Sequence, residues 1–157
     1  MGTQTMKEQE LADVIAAAWA SETQTVSQNK AVLAAVKGWI EAEFPGLTVQ
    51  TNVDLSGGRK AVADVLVNDH LALILLLGVG GRNQWKQVDR DALIIASLRP
   101  DIETVVLVHN PKTPNIVKDR KERGNRAAAC KSGVPWLGTA DPESLTPLID
   151  LLEGMTK

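Results

Sequence analysis

At 157 residues, 44% hydrophobic and 23% charged, the chain has the length and balance of one globular domain. A formal net charge of −2 gives no global attraction to nucleic acid or to a membrane surface. The single cysteine, Cys130, excludes an internal disulfide and a thiolate zinc site.

The N-terminal stretch Ala16 to Ala20 is too short for a secretory leader and follows acidic residues. The run Leu71 to Val79 is too short to span a bilayer. A cytoplasmic protein without a membrane segment is expected.

Thr5-Met-Lys-Glu8 has the spacing of a capping box. Leu11, Val14, Ile15, Ala18 and Trp19 then recur at helical spacing, which predicts a helix from about Met6 to Ser21. Ser27 is the expected cap of a second helix, with Leu33, Val36, Ile40 and Phe44 on its apolar stripe and Pro45-Gly46 as its stop. The period then falls to two. Leu47, Val49, Thr51 and Val53 alternate with polar residues, as in a strand with one wet face. Ser56-Gly-Gly-Arg59 predicts a turn, Lys60 to Val67 a returning strand, and Asn68-Asp-His70 a second tight turn into Leu71 to Val79. Three strands joined by such short turns must be antiparallel neighbours.

A helix is expected from about Asn83 to Leu98, ended by Arg99-Pro100. Thr104 to His109 predicts a strand, and Thr113-Pro114 starts a helix to about Lys131. Val134 to Leu137 predicts a short strand, and Asp141-Pro142-Glu143 starts a last helix that Gly154 ends. The order is α-α-β-β-β-α-β-α-β-α in one domain over residues 1–157, with no repeat or linker.

Asp64 stands alone among apolar residues in the second strand. The third strand, Leu71-Ala-Leu-Ile-Leu-Leu-Leu77, is unbroken and apolar, as expected of a central strand covered on both faces. This layout resembles the αβββαβ core of the PD-(D/E)xK nucleases, the restriction-endonuclease-like fold, over roughly Val26 to Asn110. The resemblance implies an α/β fold with a mixed central sheet flanked by helices. It also implies an acid on the second strand, matched by Asp64, and Glu/Asp-x-Lys on the third, where this chain has Leu75 and Leu77. In such proteins the next helix often turns glutamine and basic residues toward the site. Gln84, Lys86, Gln87, Arg90 and Asp91 hold the corresponding positions.

The leucines matter because hydrolysis by this route needs carboxylates to hold Mg²⁺ and a lysine to stabilise charge. Magnesium takes several oxygen ligands in near-octahedral geometry. Residues i and i+2 of a strand share a face, so Leu75 and Leu77 would offer two isobutyl groups there. Asp64 would be the sole candidate metal ligand. Asp69 lies in the preceding turn, and Asp54 is on the first strand. The structural alternative for Asp64 is a carboxylate satisfied by a backbone N–H, a helix terminus or Arg90.

Gly78-Val-Gly-Gly81 invites a phosphate-loop reading, but position 83 is Asn and no Gly-Lys-Ser/Thr follows. Lys112 to Lys131 carries seven basic and two acidic residues, a local +5 that leaves −7 elsewhere. Lys118, Lys121 and Arg126 there, with Arg82, are candidate phosphate contacts. A solvated helix face is the structural alternative. His70 and His109 form no hydrolytic triad with an evident serine, and Trp85 and Trp136 suit a core or a dimer patch.

Three readings result. One is a nuclease-like protein without metal-dependent hydrolysis, needing no cofactor and retaining DNA binding or an assembly role, with a homodimer expected. Another is an active Mg²⁺-dependent DNA endonuclease with a rearranged or engineered site built on Asp64, Lys86 and Gln84. The third is a nucleotide or small-molecule binder using Gly78 to Gly81.

Overall fold

A computed structural model of the chain describes residues 3–58, 61–77, 84–109 and 134–156. The elements are α1 (Thr3–Ala20), α2 (Thr25–Glu43), β1 (Val49–Asp54), β2 (Val62–Val67), β3 (Leu71–Leu77), α3 (Gln84–Leu98), β4 (Glu103–His109), β5 (Trp136–Gly138) and α4 (Thr146–Met155). A 3-10 turn, Pro142–Leu145, leads into α4. The five strands form one mixed sheet in the order β1-β2-β3-β4-β5. β1, β2 and β3 are antiparallel neighbours; β3, β4 and β5 run parallel.

Each face of the sheet has its own core. Leu11 and Ile15 of α1, Val32, Val36 and Ile40 of α2, and Leu148, Ile149 and Leu152 of α4 cover one face. They meet Leu71, Leu73, Val105 and Leu107. The other face packs Val88, Ala92 and Ile95 of α3 against Ala72, Ile74, Leu76, Val106 and Trp136. This two-sided burial is why β3 reads as continuous leucine and isoleucine. Trp136 is core, not a surface patch.

The turn between β2 and β3 is a two-residue hairpin. Asn68 and Asp69 have φ of 51° and 54°, and the His70 N–H donates to the Val67 carbonyl at 2.9 Å. Asn and Asp tolerate the left-handed region that this turn requires at both positions.

Several ends differ from the sequence expectation. α1 begins at Thr3, so Thr5 is an interior residue. Glu8 does not reach back to cap the helix; its Oε2 accepts a hydrogen bond from the Thr146 hydroxyl. Ser27 lies inside α2, whose cap position is Gln24 with no side-chain cap. Gly154 does not end α4, which continues to Met155. One helix end rewards no particular capping residue when its buried face already fixes it.

The largest departure is in β1. A one-sided strand was expected, but Val49 packs on the α2 side and Val53 on the α3 side. Asn52 between them has φ of 55°, which turns the strand over. β2 turns over with it: Val65 and Val67 face α2, whereas Ala63 faces α3. The register does not slip, since Val49↔Val67 and Asp54↔Val62 keep the same offset on either side of the unpaired Asn52 position. Asn52 and Asp64 stand opposite each other at the point of reversal.

The helix expected over Thr113 to Lys131 lies outside the described residues, as do Gly78 to Gly81 and Arg82.

Candidate functional site

The strand reversal opens a cleft. β2 and β3 pair at Val67↔Leu71, Leu66↔Ala72 and Val65↔Leu73. One step further the backbone pairing stops, and the Leu75 N–H would lose its partner. A buried unpaired N–H costs roughly 1–3 kcal/mol. The Asp64 side chain replaces the missing carbonyl: its Oδ2 accepts the Leu75 N–H at 2.6 Å. Asp64 thus holds open strands together at the point where they diverge.

Asp64, Leu75 and Leu77 line a cleft of about 340 Å³ with Val26, Asn29, Lys30 and Leu33 of α2 and Asn52 of β1. Of the partners considered for Asp64, a backbone N–H, a helix terminus or Arg90, it takes the backbone N–H. Arg90 does not serve it, because its guanidinium pairs with Asp91 at 3.3 Å. Burial pushes the Asp64 carboxyl above the usual carboxylate range; the Leu75 hydrogen bond opposes this, and the charge of Asp91 adds to it. Asp91 is itself raised by burial, opposed by Arg90 and by a hydrogen bond from Gln87 at 3.2 Å.

Lys86 is exposed on α3, which covers the opposite sheet face, and does not line the cleft. Gln84 is the first residue of α3; its side chain lies outside what is described. Asp69 is at the far end of β3, in the hairpin turn. The Asp54 carboxylate accepts hydrogen bonds from the Ser56 N–H at 2.8 Å and hydroxyl at 2.6 Å, which lower its pKa and commit it to the β1–β2 turn. Lys118, Lys121, Arg126 and Arg82 lie outside the described residues. So does the glycine loop.

Asp64 is the one carboxylate lining the cleft and commits one oxygen to the backbone, and Leu75 and Leu77 have no ligand atoms. Among the described residues no group of three or more His, Cys, Asp or Glu side chains can hold a metal.

His109, at the carboxyl end of β4, pairs in register with Leu77. Its Nδ1 shares a hydrogen bond of 2.6 Å with the Thr139 hydroxyl, and its ring meets Trp19 edge-on at 5.8 Å. Burial lowers its pKa. It ties β4 to the segment after β5 and to α1, which is a structural role.

Sequence reading did not find Val26, Asn29, Lys30, Leu33 and Asn52 as cleft residues. Leu33 belongs to the expected apolar stripe of α2 but is only partly buried. The one available signal was Asn52, an amide in a strand of β-branched residues where asparagine is disfavoured.

Comparison with known proteins places the chain beside none of them: no family model, curated protein or solved structure matches it. Among the described residues no helix is long and apolar enough to cross a membrane.

Proposed function

We propose that this chain is a nuclease-like domain that binds without hydrolysing. The succession α2-β1-β2-β3-α3-β4 supports a restriction-endonuclease-like core, with antiparallel β1 to β3 followed by parallel β4. The observation that carries the loss of hydrolysis is the composition of the cleft. The positions that need a carboxylate and a cation hold Leu75 and Leu77, and the remaining acid is a backbone hydrogen-bond acceptor. DNA, through Lys118, Lys121, Arg126 and Arg82, is the proposed macromolecular partner, and a homodimer the proposed assembly.

The test is incubation of the purified chain with plasmid, single-stranded DNA and RNA in Mg²⁺ or Mn²⁺. No cleavage is expected; cleavage lost in Asp64→Asn overturns the reading. DNA binding should weaken with salt, and less steeply in a Lys118→Ala/Lys121→Ala/Arg126→Ala variant. An unchanged salt slope removes the basic segment from the interface.

A further inference from the structure

The α2-side cleft has an unusual set of walls for a vestigial site. Asp64 uses Oδ2 for the Leu75 N–H, and its Oδ1 accepts from no described group. An ionised carboxylate has about four acceptor positions, so most of its capacity is unused. Lys30 lines the same cleft but makes no ion pair with any described residue. A cation and an anion therefore face one cavity without closing on each other. Between them lies an apolar floor of Leu33, Leu75 and Leu77. Val26 at the rim is 66% exposed, the most exposed large apolar side chain described.

We propose that this cleft binds a small zwitterion with an apolar body, in chemical class an apolar α-amino acid, its ammonium at Asp64 and its carboxylate at Lys30. The proposal rests on the reading of the cleft as metal-free.

Each feature of the cleft selects against an alternative. The volume of about 340 Å³ is at the low end of small-molecule sites and suits a ligand of that size. A phosphate-bearing ligand would meet one lysine and a repelling carboxylate. A simple amine would meet Lys30, and a simple fatty acid would meet Asp64. A zwitterion pairs with both through charge-assisted hydrogen bonds. Asn29 and Asn52 line the same cleft and add amide donors and acceptors to it. The apolar body covers Val26, which is exposed, and Leu33 and Leu75, which are only partly buried.

Burial of the Asp64 carboxyl, which raises its pKa, gives the site a pH signature. An ammonium binds the ionised form, so affinity falls as the pH drops toward the raised Asp64 value.

The test is calorimetry and thermal shift on the full chain with leucine, isoleucine, valine, methionine and phenylalanine. N-acetyl-leucine, which lacks the ammonium, and isoamylamine, which lacks the carboxylate, serve as controls. At least one free amino acid is expected to bind and raise the melting temperature, and both controls to bind at least about tenfold more weakly. Lys30→Ala and Asp64→Asn should each weaken binding about tenfold or more. Both preserve the fold, since Lys30 is exposed and asparagine still accepts the Leu75 N–H. Absence of binding by every amino acid overturns the proposal, as does binding indifferent to both substitutions. Metal-dependent cleavage by a chain that still binds leucine overturns the metal-free reading alone.

Discussion

Asp64 and Glu8 are both carboxylates withdrawn from water, and they are held in different ways. Asp64 lies at a break in the sheet, where its Oδ2 accepts a backbone N–H that has no other partner. Glu8 lies between α1 and the start of α4, only 2% exposed. Its Oε2 accepts from the Thr146 hydroxyl, and its Oε1 is buried without a hydrogen bond. Burial raises both pKa values, but the surroundings differ. Asp64 is opposed by a hydrogen bond and faces Lys30 across a cleft. Glu8 is raised further by Asp150, Glu143 and Glu153. The acid at the sheet break repairs the backbone and keeps acceptor capacity toward a cavity. The acid at the helix junction has its pKa raised by burial and by neighbouring acids, and lines neither the Asp64 cleft nor the cleft beside Phe44. A buried carboxylate is informative about function only when its second oxygen has somewhere to point.

Four experiments sharpen or break this contrast. The largest effect should come from Leu75→Glu with Leu77→Lys, which puts an acid and a cation beside Asp64. Without metal the double variant should lose about 2–5 kcal/mol, because Leu77 belongs to the α2-side core. Mn²⁺ should restore part of that loss and induce DNA cleavage. A folded variant blind to metal would show that β3 is not the counterpart of a nuclease strand.

Next in size is Asp64→Ala. It leaves the Leu75 N–H without an acceptor, so urea unfolding should show a loss of about 1–3 kcal/mol. Asp64→Asn should stay within about 0.5 kcal/mol of the parent at neutral pH. If both variants behave alike, the hydrogen bond is not what holds β2 to β3. The raised Asp64 pKa also has a sign. The folded state binds the proton more tightly than the unfolded chain, whose carboxyl titrates near 3.8. This contribution is complete below that value and lost as the pH rises through the folded pKa. Asp64→Asn should remove this slope.

Glu8→Gln tests the other acid. Its folded pKa is raised from 4.5, so the ionised side chain opposes folding at neutral pH. The glutamine variant should be more stable at pH 7, on the order of 0.5 kcal/mol, and equal to the parent at low pH. A destabilised variant at pH 7 would mean that the charge at the start of α4 is favourable through the helix dipole.

The smallest effect belongs to His109. Burial lowers its pKa from 6.5, so the folded state holds its proton less tightly. Its contribution is present above 6.5 and is lost as the pH falls through the folded value. His109→Gln should flatten the melting-temperature profile just below pH 6.5. An unchanged profile would assign the acid limb to other groups.

The elements themselves were largely legible because each is encoded by neighbours. The helical stripes of α1, α2 and α3, the Asn68-Asp69 turn and the glycine-flanked strands are local patterns, and all appear near their expected positions. The apolar run of β3 announced a strand buried on both faces, and its residues are buried or nearly so. The two-residue period puts Leu75 and Leu77 on one face of β3, but Asp64 joins them only because β2 turns over at that residue.

The cleft was different, because no local pattern encodes it. Alternation in β1 predicted one wet face, yet Asn52 in the left-handed region turns both hairpin strands over without a register slip. Lys30 and Val26 come from another helix, and only packing brings them opposite Asp64. The sequence alone determined the kinds and order of the described elements and the absence of a ligating pair on β3, since those depend on residues a few positions apart. Only the tertiary structure decided which acid is spent on the backbone and which charges share a cavity, since those depend on where distant segments meet.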